Sequence, residues 1–419
     1  MIQILGLASR NLVRYYRRTL LTAGLIVIGV VAVLVFTAMS GSFKDHMIGQ
    51  ITDSMLGHIQ IHRQGYVASV ESLPLNLNIK PEMANQIDDL LSETEEVVSS
   101  APRLKFAGMF SDFKETTNIR LNGILPEREH RTVPLLADRF IEKAQDDEKP
   151  LLTEGGILIP QLLARGMNVS VGDMIVIVAT NEEGSVNGRR FTVQGILEAV
   201  TGPGGRDGYL HIDDARALLR IEGNEINEIA IRIRNIGNTD NVRETLIRRL
   251  AEITGRPEST KKAALEVHTW DQLTPFSNIA AMIDLLDIFV RVLLVGIVMI
   301  SVMNVMIMAV YERIREIGTI AAIGTPPARI LWMFISEGFL IGLMGTLIGT
   351  AISLVIIQAL NMWQVTFAFG RQVITLAPAI ATSDILLIGA LVLAISVVGS
   401  LQPALKAARM DPIAALRHV

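Results

Sequence analysis

The chain contains no cysteine among its 419 residues. That excludes a disulfide framework, iron–sulfur clusters and thiolate zinc sites, and leaves the compartment open. Charge of one sign is also missing. Lys and Arg total 38 against 42 Asp and Glu, a net charge of -4, so no global basic field points to nucleic acid. No Gly-Lys dipeptide occurs, which removes the phosphate-cradling loop of nucleotide hydrolases. Neither His-Glu-x-x-His nor Gly-x-Ser-x-Gly is present. The glycine-rich run GPGGRDG at 202–208 departs from the dinucleotide spacing and reads as a loop.

What the chain has in excess is apolar sequence. Half the residues are hydrophobic and mean hydropathy is +0.41. The excess is gathered into runs at 19–43, 284–311, 330–360 and 384–405. Each is long enough to cross about 30 Å of hydrocarbon, which takes about 20 helical residues. The first run is longer than a signal-peptide core of about 7–15 residues and reads as a span. Lys and Arg near the span ends set the orientation. Arg10, Arg14, Arg17 and Arg18 precede span one; Arg313, Arg315 and Arg329 lie between spans two and three; Lys406, Arg409 and Arg417 follow span four. The loop at 361–383 holds only Arg371. Both termini are therefore expected in the cytoplasm, with 44–283 and 361–383 outside. Residues 1–18 carry Ile4, Leu5, Ala8, Leu12 and Tyr15 at helical spacing and predict a helix along the cytoplasmic interface. The tail is 406–419.

The mixed-polarity stretch 44–283 reads as a folded aqueous domain. Residues 57–62 alternate like a strand, 81–94 are helical with Pro81 in the first turn, and 97–105 form a strand. Downstream, 226–234 (INEIAIRIR) alternates strictly, 241–253 is amphipathic through Val242, Leu246, Leu250 and Ile253, and 265–269 closes as a strand. That is β-α-β twice, the pattern of a split ferredoxin-like α+β fold. Between the halves, at about 115–205, short strands at 118–125, 174–179 and 190–199 predict a small β-rich insert, with Glu183-Gly184 and Asn187-Gly188 in a hairpin. His58 and His62 share a strand face with Gln60, and read as a solvated face rather than metal ligands.

Two membrane features carry more. At 312–329 a short helix is predicted, with Ile314, Ile317 and Ala321 on one face and Glu312/Arg315 and Arg313/Glu316 as i,i+3 pairs. Gly324 ends it, and Thr325 with Pro326 caps the next helix. Such a helix suits either a partner's groove or the lipid surface. In span three, Gly338, Gly342, Gly345 and Gly349 fall on one face, the small-residue surface that lets membrane helices approach, within the chain or across a dimer. Glu337, at the cytoplasmic edge, is expected to snorkel or pair with an Arg.

These segments resemble the MacB/FtsX-type ABC permeases. The likeness runs through SRNLVRYYRRTLLT at 9–22, GGILIPQLLARGMNVSVGDMIVI at 155–177, YERIREIGTIAAIGTPPARI at 311–330, SEGFLIGLMGTLIG at 336–349 and PALKAARMDPIAALR at 403–417. GHIQIHRQGY at 57–66 is similar to the start of the external domain in the lipoprotein-releasing subgroup. The resemblance implies a bacterial inner-membrane permease subunit that is not itself an enzyme. ATP and Mg would be bound by a separate ATPase, in two copies, with a second permease, the same or different, completing a dimer. It implies mechanotransmission, in which ATP-driven closure moves the spans and the external domain with them. The coupling helix would contact the ATPase through Glu312, Arg313, Arg315, Glu316, Ile317, Gly318, Ile320 and Gly324. A periplasmic chaperone or adaptor is the further partner implied. Where one lipoprotein-releasing subunit carries a long Pro-containing hook, this chain has a short polar hairpin, with Thr180, Asn181, Glu182, Glu183, Gly184 and Asn187 as the candidate partner loop. Three functions stay open: extraction of lipoprotein or lipid from the outer leaflet, tripartite efflux, or regulation of an external hydrolase without transport.

Overall fold

The computed structural model describes residues 10, 14, 16–143, 152–199, 206–254, 264–364, 366–369, 372–375 and 377–416. The helix expected over 1–18 lies almost wholly outside them, as does most of the loop at 202–208. In chain order the main elements are α1 (Tyr16–Ile51), a π-helical turn (Thr52–Leu56), β1 (Ile59–Arg63), α2 (Pro81–Ser92), β2 (Val97–Ser111), β3 (Thr116–Ile124), α3 (Pro126–Thr132) and β4 (Phe140–Lys143). Then come β5 (Gly156–Pro160), α4 (Gln161–Gly166), β6 (Met174–Thr180), β7 (Val186–Leu197), β8 (Gly208–His211), α5 (Ile212–Leu219), β9 (Glu228–Ile233), α6 (Thr239–Thr254), β10 (Leu265–Thr269) and α7 (Trp270–Leu273). The chain ends with α8 (Phe276–Glu312), α9 (Ile314–Ala322), α10 (Pro327–Trp363), the hairpin β11 (Thr366–Phe369) and β12 (Gln372–Thr375), α11 (Thr382–Ala408) and α12 (Pro412–Leu416). Two units result, one of the residues up to 45 and from 280 onward, the other of 46–279.

The first unit is the membrane bundle. By length and composition, α1, α8, α10 and α11 can each cross a bilayer. The helices run past the apolar stretches at both ends, because 37 residues of α8 or α10 extend about 55 Å at 1.5 Å per residue, against about 30 Å of hydrocarbon. Ile26, Val30 and Leu34 of α1 pack with Val298 and Val302 of α8, Phe334 and Ile341 of α10, and Val392 of α11. Near one end of the bundle a polar set ties three helices. Thr37 donates to Asp287 at 2.7 Å, and Arg291 reaches Asp287 at 2.7 Å and Asp384 at 3.4 Å. Lys44 and Asp284 pair beside it at 2.6 Å.

The second unit is built on one extended sheet. Its first four strands lie in the order β10-β1-β9-β2, all antiparallel. Ile87, Leu90 and Leu91 of α2 and Val242, Leu246 and Leu250 of α6 join Ile59, Ile61, Ile229 and Ile231 in the same core. The stretch at 115–205 is β-rich as expected, with strands at each of the three expected places, but they continue the same sheet. β2 is 15 residues long, where 97–105 was expected, and pairs with β9 along its first half and β6 along its last. From there β2, β3, β8, β5, β7 and β6 each pair with the next, and β6 pairs with β2, so six strands close on themselves. Closure leaves no free edge among them. The interior holds Phe106, Phe110, Leu121, Ile157, Ile177, Phe191 and Leu210.

Candidate coupling site

α8 ends at Glu312, and Arg313 stands at the break with φ -112 and ψ 19. α9 follows and stops in a Schellman arrangement. Gly324 takes φ +94, its N–H donates to Ala321 O at 3.0 Å, and Thr325 N–H donates to Ile320 O at 3.3 Å. Pro326, not Thr325, is the N-cap of α10, extended and without a side-chain cap bond, and Pro327 is its first helical residue. Proline suits that position because its missing N–H would be unpaired there anyway. The result is a nine-residue helix held between two spans by breaks at both ends.

α9 has two unlike faces. Ile314, Ile317 and Gly318 are buried, Ala321 half-buried. Arg315, Thr319, Ile320, Ile323 and Gly324 are exposed, and Ile323 is 80% exposed. Three of the expected contact residues, Arg313, Ile317 and Gly318, are therefore buried within the chain. Ile317 packs into the bundle core, 2% exposed, so it holds α9 to its own chain. Arg313 is buried as well. Its Nη1 donates to Glu337 at 2.9 Å, its Nε donates to Glu316 at 3.1 Å, and its guanidinium lies 5.7 Å from the centre of the Phe334 ring. The expected Arg313/Glu316 pair is present, but it lies at the mouth of a buried link to α10. Glu337, expected to find an Arg, finds this one.

Other ends of the bundle meet the same place. Arg14 reaches Glu316 at 3.6 Å. Lys406 of α11 donates to the Tyr311 hydroxyl at 2.7 Å and lies 4.8 Å from the centre of that ring. The terminal α12 packs on α9.

The glycine face of α10 divides between two neighbours. A Cβ at Gly338 would meet Ser400 Cβ at 2.6 Å, and one at Gly342 would meet Ser396 Cβ at 2.6 Å, both on α11. At Gly345 it would meet Ile26 Cγ2 at 2.6 Å, and at Gly349 Val30 Cβ at 2.8 Å, both on α1. Ser396 and Ser400 turn their hydroxyls back to Val392 O and Val397 O, each at 2.8 Å, so the close approach leaves neither unsatisfied.

In the other unit, the candidate partner loop forms the β6–β7 turn. Thr180, Glu182, Glu183 and Gly184 are exposed, and Asn181 accepts from Ser185 N at 2.7 Å. Asn187 and Gly188 lie inside β7 rather than in the turn, and Asn187 donates to Leu218 O at 2.8 Å, which ties it to α5. The strand face of His58, Gln60 and His62 is buried, not solvated. His62 stacks on Tyr66 at 5.0 Å and contacts Glu228 at 3.3 Å. Arg103 Nη1 reaches Glu228 at 2.7 Å and Arg103 Nη2 reaches Glu129 at 2.6 Å, while Lys105 meets Glu228 at 2.6 Å. Burial works against charge on Glu228, but Lys105, His62 and Arg103 hold its carboxyl well below the usual range. Burial, partly offset by Glu228, pushes His62 below the usual imidazole range, so it stays neutral at pH 7. Together these side chains form a buried ion network. Among the described residues, Glu154, His211 and Asp213 bring metal-ligand atoms within 4.8 Å of one another, but Asp213 already pairs with Arg216 at 2.9 Å, and His211 caps α5.

Comparison with known families gives this geometry its context. A profile described as FtsX-like permease C-terminal matches residues 288–412, and one described as MacB-like periplasmic core domain matches 19–249. The second alone spans more than half the chain. The chain belongs to the MacB/FtsX-type ABC permease family. This permease is 24% identical to the lipoprotein-releasing system transmembrane protein LolC of Neisseria meningitidis, over 96% of this chain and 94% of that one. It is also 24% identical to the macrolide export ATP-binding/permease protein MacB of Bdellovibrio bacteriovorus, over 94% of this chain and 58% of that one. A pyoverdine export ATP-binding/permease protein of Pseudomonas putida is 34% identical over 54% of this chain and 33% of its own length. Among solved structures, the periplasmic region of MacB from Actinobacillus actinomycetemcomitans aligns with 52% of the permease at 14% identity and a TM-score of 0.36.

Proposed function

We infer that this permease takes its energy from a separate ATPase subunit, which docks on the exposed face of α9 and binds the ATP and Mg. The observation that supports this most is the amphipathic construction of α9. Ile314 and Ile317 fix it to the bundle, while Ile320 and Ile323 present apolar side chains outward between Arg315 and Gly324. The Lys and Arg bias supports a cytoplasmic position for this helix and both termini, and a periplasmic one for 44–283. We read the β10-β1-β9-β2 order with α2 and α6 as a ferredoxin-like core, since split β-α-β halves interleave in that way. In a dimer with a second permease, ATP-driven closure would move the spans and the periplasmic unit, which α1 and α8 join to the bundle at both ends.

For the substrate, we read lipid-anchored protein drawn from the outer leaflet of the inner membrane. The match to LolC over 96% of this chain supports this. The short polar turn at 180–185 offers a chaperone or adaptor less than a hook would.

The docking test uses Ile323→Asp, at an exposed position where folding should survive. Interface energy concentrates in a few apolar anchors, so ATPase affinity should fall by about 2 kcal/mol, or about thirtyfold. Copurification from membranes measures it, with Arg315→Glu as the milder comparison. An inserted Ile323→Asp chain that retains its ATPase in full would place α9 on lipid and end the docking reading.

A further inference from the structure

Arg313 and Glu337 stand apart from the other charged contacts around α9. Arg14 with Glu316 and Lys406 with Tyr311 are exposed, where water and salt weaken a charge contact. Arg313 and Glu337 are 5% and 2% exposed at their side chains and meet at 2.9 Å. A buried charge cannot leave its partner cheaply, because it would then stand unpaired in a medium that does not solvate it. The contact therefore transmits displacement rather than yielding to it. Its placement decides what it would transmit. Arg313 is the residue at which α8 breaks into α9. Glu337 immediately precedes Gly338, where α10 is pressed against Ser396 and Ser400 of α11. Phe334, one turn before Glu337, has its ring centre 5.7 Å from the guanidinium, within reach of a cation–π contact. A tilt of α9 thus has a rigid path to the α10–α11 contact, in addition to the looser apolar packing of Ile317.

We propose that Arg313 and Glu337 are a positioning pair, a buried ionic pin that converts movement of α9 into movement of α10 and so carries energy from the docked ATPase to the outer ends of the spans. This rests on the docking reading of α9. The pin itself touches neither ATP nor substrate.

The test uses the full chain in lipid with its ATPase. The chain has no cysteine, so single reporters can be placed at Gly41→Cys, where an added Cβ meets open space, and at Ser383→Cys near the start of α11. Glu337→Gln and Arg313→Gln remove the charge pairing with little change of shape. Arg313→Glu with Glu337→Arg reverses it. Three quantities are read: ATPase copurification, ATP turnover, and the ATP-dependent change in maleimide labelling of each reporter. In the Gln variants ATPase binding and turnover should persist, while the labelling response falls about tenfold, within the usual range of coupling between linked sites. The reversed pair should recover part of that response, and only part, because Glu316 opposes a carboxylate at position 313. A full labelling response in Glu337→Gln overturns the proposal. So does loss of insertion or of ATPase binding in that variant, since the pair would then serve folding or docking rather than transmission. A parent chain that binds no ATPase defeats the docking reading itself. One that binds ATPase with no ATP response at either reporter defeats the pin alone.

Discussion

Gly345→Ala is the sharpest probe of the bundle, because the same change elsewhere in the chain supplies its own control. Carbon atoms in contact prefer about 3.5–4.0 Å. A Cβ at Gly345 would lie 2.6 Å from Ile26 Cγ2 and 2.8 Å from Ile26 Cβ. The second distance matters more. A Cγ can move by rotation about χ1, but the Cβ of a β-branched residue on a helix moves only with the backbone. Relief therefore requires α10 and α1 to separate by about 1 Å, which thins the packing along the seam. Overpacking of this kind costs about 1–3 kcal/mol. Against it stands the preference for alanine over glycine in a helix, up to about 1 kcal/mol. Gly24→Ala gains that preference with no cost, since an added Cβ there meets nothing within 4 Å. The difference between the two variants cancels the propensity term and should be about 1–3 kcal/mol, Gly24→Ala being the more stable. Thermal unfolding of both purified chains in one detergent measures it. Combining Gly345→Ala with Ile26→Ala should remove much of the penalty, because the clash is with that side chain. If Gly345→Ala melts at or above Gly24→Ala, the close approach of α10 to α1 is not a feature of the folded bundle.

Two further outcomes concern the periplasmic unit. Arg103→Ala should destabilise the full chain by about 3–5 kcal/mol, because Glu129 and Glu228 stay buried without the guanidinium between them; unchanged melting and unchanged protease resistance of that unit would show that the network adds nothing. Glu266 is disfavoured as a charge by burial, but His268 and the N–H groups of Val67 and Gly65 outweigh this and hold its carboxyl at about 2, below the ordinary 4.5. A depressed carboxyl contributes stability that is present above its unfolded value and lost as pH falls through the folded one. Melting followed from pH 5 to pH 2 should therefore drop more steeply in the parent than in Glu266→Gln, and parallel curves would exclude Glu266 from the acid response.

The spans and the outer helices were legible because their signals are local. An uncharged run of 25 residues at 19–43 has few other readings, and Val242, Leu246 and Leu250 mark the buried face of α6 without help from elsewhere. The six-strand closure was not legible for the opposite reason. It depends on β2 continuing past 105 to Ser111 through Gly108, which weakens a strand reading, and on pairings between segments 50 to 90 residues apart.

The polar strand face and the coupling segment failed in a more instructive way. Alternation of His58, Gln60 and His62 with Ile59 and Ile61 is what a half-wet strand looks like, so a local rule assigns the polar side to water. The signal against that assignment was present at long range. Arg103 and Lys105 alternate on one strand, Glu228 stands on another, and Arg103 and Glu228 prove to be opposite each other across β2 and β9. Complementary charges on alternate positions of two strands imply a paired interior as readily as a surface. Arg313 repeats the lesson on a helix. Read with Glu316 it is an ordinary i,i+3 surface pair. Read with Glu337, the acidic residue at the edge of an otherwise uncharged span, it is the available counter-charge. An acid in such a position has to be neutralised, and Arg313, 24 residues before it at the break between α8 and α9, supplies a counter-charge. The residue that reads as a surface partner of Glu316 is therefore a buried partner of Glu337, and Ile317, expected at the ATPase contact, packs into the chain's own bundle. What remains for a partner is the outward turn of α9 at Ile320 and Ile323, which periodicity alone did not separate from the inward one.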